Sequence, residues 1–200
     1  RGFPASPNGG STMNNTLQYP GRDECLAIMK QHGMLPNIID HSVQVMNVSL
    51  AIIGSLRAGV SIDRSLVVSA ALLHDITKTK SIQTGELRHD LTGGTLLRSM
   101  GYPRIAEIIE SHVVFAGFDR DGALEEREII YYSDKRVMHD RIVSIDERVH
   151  DLVERYGTNE KIKKMILDNR EFLARIEEKI RSFMTCDIET ALANAGLVRP

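Results

Sequence analysis

Two hundred residues are enough for one domain with a sizeable core, or one domain with a helical extension, and nothing in the composition forces a second domain. With 25 basic against 27 acidic residues the formal charge is −2, and no face carries a basic run interleaved with aromatics, so nucleic acid is not indicated as a main partner. Cys25 and Cys186 lie far apart without C-x-x-C spacing and read as reduced thiols of a soluble, cytoplasmic protein; the apolar stretch Val43 to Leu56 is broken by Gln44, Asn47 and Ser49, short of the roughly 20 residues that span a bilayer.

In chain order, Arg1 to Thr12 has linker composition and reads as an appended leader, with Met13 as the natural start. Helical periodicity dominates after Arg22, and no stretch alternates well enough to demand a strand, so the expected class is all-α. Asp23 is expected to cap a short helix ending near His32-Gly33, and Pro36 to open a long one from Asn37 to Ala58, stopped by Gly59. Ser61 is read as the cap of a third helix, whose face carries Leu66, Ala70 and Leu73 toward His74. Ile76 to Glu86 is too polar for a core element and is assigned to a loop. His89 opens a helix closing at Met100-Gly101, and Pro103 starts another that runs to His112. Phe115 to Glu125, with Gly117 and Gly122, reads as a mobile loop beside the site, of the kind that gates substrates. Glu126 to Met138 resumes the helix and carries Asp134. Ser144 caps a helix ending at Tyr156-Gly157. Thr158 is expected to cap a long amphipathic helix with Ile162, Ile166, Leu173, Ile176 and Ile180, followed by a tail helix near Ile188 to Ala195. The domain is therefore placed at 13–157, with 158–200 as a helical extension packed on it.

The chemistry concentrates at His74-Asp75. Two ionisable residues follow directly on Val67-Val68-Ser69-Ala70-Ala71-Leu72-Leu73, where burial is expected. Burying a polar group unpaired costs roughly 2–7 kcal/mol and a charge more, a penalty that a bound cation offsets. His41, His89, His112 and Asp134 add further imidazole and carboxylate groups, the ligands that divalent transition metals take. Lys78, three residues after Asp75, shares the face of the pair on a continuing helical turn and suits a phosphate as a point charge. The chain has no Gly-x-Ser-x-Gly elbow, Walker loop or Gly-x-Gly-x-x-Gly segment.

The order His41, His74-Asp75, His89, His112, Asp134 resembles the HD superfamily of metal-dependent phosphohydrolases, and the likeness spans His41 to Asp134. The resemblance implies that His41, His74, Asp75 and Asp134 bind one metal. It implies that His89 and His112 bind a second, with Asp75 bridging. The expected cofactors are thus two divalent ions among iron, manganese, cobalt and zinc, which can activate water so that no protein nucleophile is needed. The expected catalytic residues are Asp75 and Lys78. Lys78 is read as a phosphate contact that does not ligate metal, and Arg141 resembles the basic residue that follows the last ligand in such enzymes, with Lys135 and Arg136 as competitors. The implied substrate is a small phosphorylated molecule, a nucleotide phosphoester or phosphoanhydride such as a dinucleoside polyphosphate; no membrane partner is expected, and a homodimer is left open. A di-iron oxygenase and a non-catalytic metal-bound nucleotide-sensing module are the alternatives.

Overall fold

The computed structural model describes residues 19–198, so the expected leader and Met13 lie outside the described residues. Helix α3 (Arg64–Leu73) is central, and Leu66, Val67, Ser69, Ala70, Ala71, Leu72 and Leu73 are all buried. A helix apolar on nearly every face must be surrounded. Around it pack α1 (Arg22–Gln31), α2 (Pro36–Gly54), α6 (Pro103–Ile109) and α7 (Glu126–Lys135). Helix α4 (Lys78–Thr84) follows α3, and α5 (His89–Ser99) lies along α6. After a hairpin of β1 (Val137–Met138) and β2 (Arg141–Ile142), α8 (Ile145–Tyr156) and α9 (Glu160–Ser182) pair, α9 also lies on α7, and α10 (Ile188–Asn194) rests on α2. The class is all-α. No helix among the described residues is long and apolar enough to cross a membrane.

Several expected boundaries move, each for a local reason. Ile76 to Glu86 is not a loop, because α4 occupies its middle; only Thr79 of that helix is buried, so it shows no apolar stripe. Helix α2 stops at Gly54 instead of Ala58, since the following residues are drawn into pairing with the end of α9: Arg57 N–H donates to the Phe183 carbonyl at 2.9 Å and Thr185 N–H to that of Ser55 at 2.8 Å. The caps of α3 and α9 are Asp63 and Asn159 in place of Ser61 and Thr158; the Asp63 carboxylate accepts from Ser65 and Leu66 N–H, leaving Ser61 outside the helix. Asp23 lies inside the first turn of α1, whose cap is Gly21. Helix α6 ends at Ile109, with His112 on a turn just beyond it.

Helix α7 ends at Lys135, and the chain then forms the hairpin that the sequence reading absorbed into a helix to Met138. Strands of two residues are too short to show alternation. Arg136 braces the hairpin: its Nε donates to the Val143 carbonyl at 2.7 Å, Nη1 to the Tyr132 hydroxyl at 2.9 Å and Nη2 to Glu189 at 2.7 Å. His139, at the turn, is the one non-glycine among the described residues with positive φ, at 58°.

The Phe115 to Glu125 segment is irregular, as expected of a loop, and is bonded to two later helices. Arg127 donates to the Ala116 and Gly117 carbonyls at 2.9 and 3.0 Å, and Lys179 of α9 to that of Asp119 at 2.7 Å. Lys179 also forms a buried pair with Glu128 at 2.7 Å. Phe115 and Phe118 stack with Tyr131 and Phe172.

Candidate metal centre

Helix α2 carries His41 in its second turn; the turn between α3 and α4 carries His74 and Asp75; α5 begins with His89; the turn after α6 carries His112; the last turn of α7 carries Asp134. Two glycines let the α5 and α6 contributions meet. A Cβ at Gly93 would stand 3.2 Å from Ile109 Cδ1 and 3.3 Å from Ile76 Cγ2, and one at Gly94 would run into the Glu110 carboxylate. Without those side chains α5 closes on α6, and His89 Nε2 comes within 3.1 Å of His112 Nε2.

The imidazoles are aimed by backbone carbonyls. His41 Nδ1 is 3.0 Å from the His139 carbonyl, His74 Nδ1 is 2.8 Å from that of Ala71, and His112 Nδ1 bonds that of Ile109. A carbonyl only accepts, so each Nδ1 carries the hydrogen, and in the neutral ring each Nε2 presents a lone pair inward. The inward atoms converge on two carboxylates. His41 Nε2 lies 3.0 Å and His74 Nε2 3.7 Å from Asp134 Oδ1. His74 Nε2 is 3.4 Å from Asp75 Oδ2, while His89 and His112 Nε2 are 3.1 and 3.4 Å from Asp75 Oδ1. Asp75 thus faces two groups at once, His41 with His74 and His89 with His112, and in each group the candidate ligand atoms lie within 4.8 Å of one another.

The centre of the cluster is left unsatisfied. His74 Nε2 and Asp75 Oδ1 are buried without a hydrogen-bond partner. An unmade bond on a buried polar group costs about 1–3 kcal/mol, and more on a charged one. A divalent cation takes imidazole nitrogen and carboxylate oxygen together, so this donor set fits one.

Electrostatics keep the carboxylates ionised. Burial alone would raise the Asp75 pKa, but the Lys78 and His74 charges hold it well below the usual carboxylate range. Asp134 is held down likewise, against burial, by the Lys135 charge, its bond to His41 and the nearby His74 charge. Burial opposes a charge on His74, yet Asp75 and Asp134 push its pKa up to about 10. Burial and the neighbouring His74 charge shift His112 the other way, below its ordinary value.

All six expected ligands therefore meet in one place. Lys78 Nζ bonds Asp75 Oδ2 at 2.7 Å. Arg141 is exposed on β2, and no hydrogen bond or ion pair among the described residues joins it to the cluster. The basic residue that reaches the centre from this end is Lys135, which bonds Asp134 and the His112 carbonyl. The sequence reading named Lys135 only as a competitor, and it gave no role to the His139, Ala71 and Ile109 carbonyls. Carbonyls have no residue identity, so nothing in the sequence could single them out.

The HD domain family model matches residues 38–180. A tRNA (cytidine(56)-2'-O)-methyltransferase of Picrophilus torridus is 30% identical over 142 residues, covering 64% of this chain and 39% of that protein. An uncharacterized protein of Methanocaldococcus jannaschii is 25% identical over 150 residues, covering 68% of this chain and 87% of that one. The crystal structure of a predicted HD superfamily hydrolase from an uncultured Thermotogales bacterium is 23% identical, covers 82% of this chain and 94% of its own, and superposes with a TM-score of 0.45.

Proposed function

Starting from the HD domain family, to which this chain belongs, we propose that it is a metal-dependent phosphohydrolase acting on a phosphoester or phosphoanhydride bond of a nucleotide. The observation that carries the proposal is the pair of orphaned buried atoms, His74 Nε2 and Asp75 Oδ1, inside two ligand groups that share Asp75. In this reading His41, His74, Asp75 and Asp134 hold one divalent cation, and Asp75, His89 and His112 hold a second. When bound, such ions would supply Lewis acidity toward phosphate and lower the pKa of a bound water toward about 7.

The chain's own residues prepare that chemistry. The carbonyls behind His41, His74 and His112 fix the ring tautomers, so the inward nitrogens need no reorientation. Lys78 is about a third exposed, with a side-chain accessibility of 35%, and its ammonium can turn from Asp75 to a phosphate oxygen. Lys135 stays on Asp134 and the His112 carbonyl, binding the α7 end to the turn after α6.

The test is phosphate release from a nucleotide panel by protein stripped of metal and reloaded with manganese, cobalt, iron or zinc. Oligoribonucleotides belong in that panel because the name of one relative contains tRNA; the match covers 39% of that protein. Turnover should require added metal, and Asp75→Ala should lose both bound metal and activity. An Asp75→Ala protein that keeps full activity removes this centre from the chemistry. Tight nucleotide binding without turnover under every metal returns the domain to a sensing role.

A further inference from the structure

A cavity of about 510 Å³ opens between α4 and α5, and neither the six candidate metal ligands nor Lys78 line it. Its size lies within the roughly 300–1,000 Å³ of small-molecule sites. From α4 and its cap it takes Thr77, Lys80, Ser81 and Thr84. From α5 it takes Thr92, Thr95, Leu96 and Ser99. Both sets run i, i+3, i+4, i+7, the spacing of a single helix face. Packed helices ordinarily carry apolar side chains at those positions and close on one another. Here six of the eight residues are hydroxyls, and the space between the two faces stays open.

Every one of those hydroxyls already spends its hydrogen. Thr84 donates to the Lys80 carbonyl at 2.9 Å, Thr95 to that of Leu91 at 3.0 Å and Ser99 to that of Leu96 at 2.7 Å. Ser81 donates to the Glu86 carbonyl and Thr77 to that of His89 at 2.7 Å. Thr92 lies 3.2 Å from the His89 carbonyl and 3.1 Å from the Thr77 hydroxyl. A hydroxyl has one hydrogen and two lone pairs, so what these six still offer a ligand is acceptors. They spread over seven residues of each helix, about 10 Å, which is too far for one ion to gather them. Lys80 and Glu86 put one charge of each sign on the wall, and Ile76 and Leu96 give it apolar surface. The matching ligand is uncharged, rich in N–H donors and partly apolar.

We propose that this cavity is a second, non-catalytic binding site for a nucleoside whose base carries an exocyclic amino group. Choosing a nucleoside among amino-bearing heterocycles rests on the nucleotide reading of the metal centre; the donor requirement and the place of the site do not. The base lies against Ile76 and Leu96 with its amino group toward the hydroxyls of α5. Thr77 and Thr92 brace the His89 carbonyl, so the ligand sits against the residues that hold the start of α5.

Calorimetric titration of the full, metal-free chain with adenosine, purine riboside and ribose tests the idea without turnover. Adenosine should bind with a Kd below about 1 mM, and purine riboside, which lacks only the amino group, about fivefold more weakly, the scale of one hydrogen bond. Thr95 is exposed and outside the metal centre. Thr95→Val should erase the preference for adenosine, Thr95→Ser should keep it, and Thr95→Tyr, which fills the cavity, should abolish binding with the thermal unfolding midpoint and metal uptake unchanged. Equal affinity for adenosine and purine riboside, or for ribose alone, overturns the proposal. So does adenosine binding that survives Thr95→Tyr or appears only with metal, since the nucleoside then sits at the metal centre. If no nucleotide is hydrolysed under any metal, the phosphohydrolase reading fails while this titration still decides the cavity.

Discussion

His41 and His74 stand on α2 and at the end of α3, and each spends its Nδ1 hydrogen on a carbonyl. His89, the first residue of α5, has a ring bonded only to other members of the cluster among the described residues, and its side chain is 17% exposed. What anchors it is its backbone: the Thr77 hydroxyl donates to the His89 carbonyl at 2.7 Å. Both histidines of the first half are thus aimed by carbonyls; in the second half the Ile109 carbonyl aims His112 in the same way, and His89 alone lacks such a partner among the described residues. Ligands without an outer partner to fix them bind metal more weakly, commonly by about 10–100-fold. The proposed second cation should be the easier one to remove.

The sharpest break of that comparison is ligand deletion. His112→Ala should bring metal content from about two toward one per chain with the fold intact, whereas His41→Ala should weaken the tighter site and leave Asp134 without its 3.0 Å partner. Metal analysis after dialysis against increasing chelator reads both. Equal metal loss in the two variants would erase the distinction between the halves.

A backbone test comes next in size. Gly93→Ala would press a methyl group against Ile109, Ile76 and Thr77 at 3.2–3.3 Å, all of them part of the packing between α5 and its neighbours. Either these buried side chains give by a few tenths of an ångström or α5 shifts outward, and a shift of α5 carries His89 with it. We expect a loss of roughly 1–3 kcal/mol by thermal or urea unfolding, together with selective loss of the second metal. The nearest atoms to a Cβ at Gly94 all belong to the Glu110 side chain, which can swing away from its pair with Arg98; the roughly 1 kcal/mol gained in helix propensity is common to both variants, so Gly94→Ala should be the milder. If Gly94→Ala proves the more damaging, the α5–α6 contact is misread.

The candidate ligand set was legible in the sequence because imidazole and carboxylate declare their chemistry, and because the His74-Asp75 pair follows an apolar helix that is buried. The family resemblance supplied which groups meet. Other features could not be read. Helix α4 hid because its exposed faces carry Thr, Ser and Lys. The β1–β2 hairpin hid because two residues cannot show a period. Phe115 to Glu125 looked free because its ties come from Arg127 and Lys179, residues in later helices.

The two halves should also respond differently to protons. In metal-free protein the His74 pKa is raised from its ordinary 6.5 to about 10, so its stabilising charge is fully present below about 6.5 and is lost as pH rises through about 10. Asp75 and Asp134 act with the opposite sign: their contribution is present above the ordinary carboxylate value and is lost only in stronger acid. The Tm of stripped protein should therefore decline between pH 6.5 and 10, and a metal-loaded sample, in which the cation replaces the His74 proton, should not follow it. His112 is shifted downward, by burial first, so its own ring adds no stabilising charge that is lost over that range. A flat Tm for stripped protein from pH 6.5 to 10 would remove the charged His74 from the account.

The smallest expected effect concerns His139. Its ring is exposed, and its contribution to the centre is the carbonyl that accepts from His41 Nδ1 at 3.0 Å. The carbonyl is placed there by φ of 58°, a left-handed conformation that costs a side-chain-bearing residue about 1–2 kcal/mol. Glycine takes that conformation freely but gives up about 0.5–1 kcal/mol through a more flexible unfolded chain. His139→Gly should therefore shift stability by no more than about 1 kcal/mol, most simply upward, with metal content unchanged because the acceptor remains. His139→Pro, whose ring fixes φ near −65°, should turn the carbonyl away from His41 and loosen the first metal. Loss of metal in His139→Gly would show that the imidazole itself takes part, and His139 would then join the ligand set as a member that both its exposure and the sequence reading had left out.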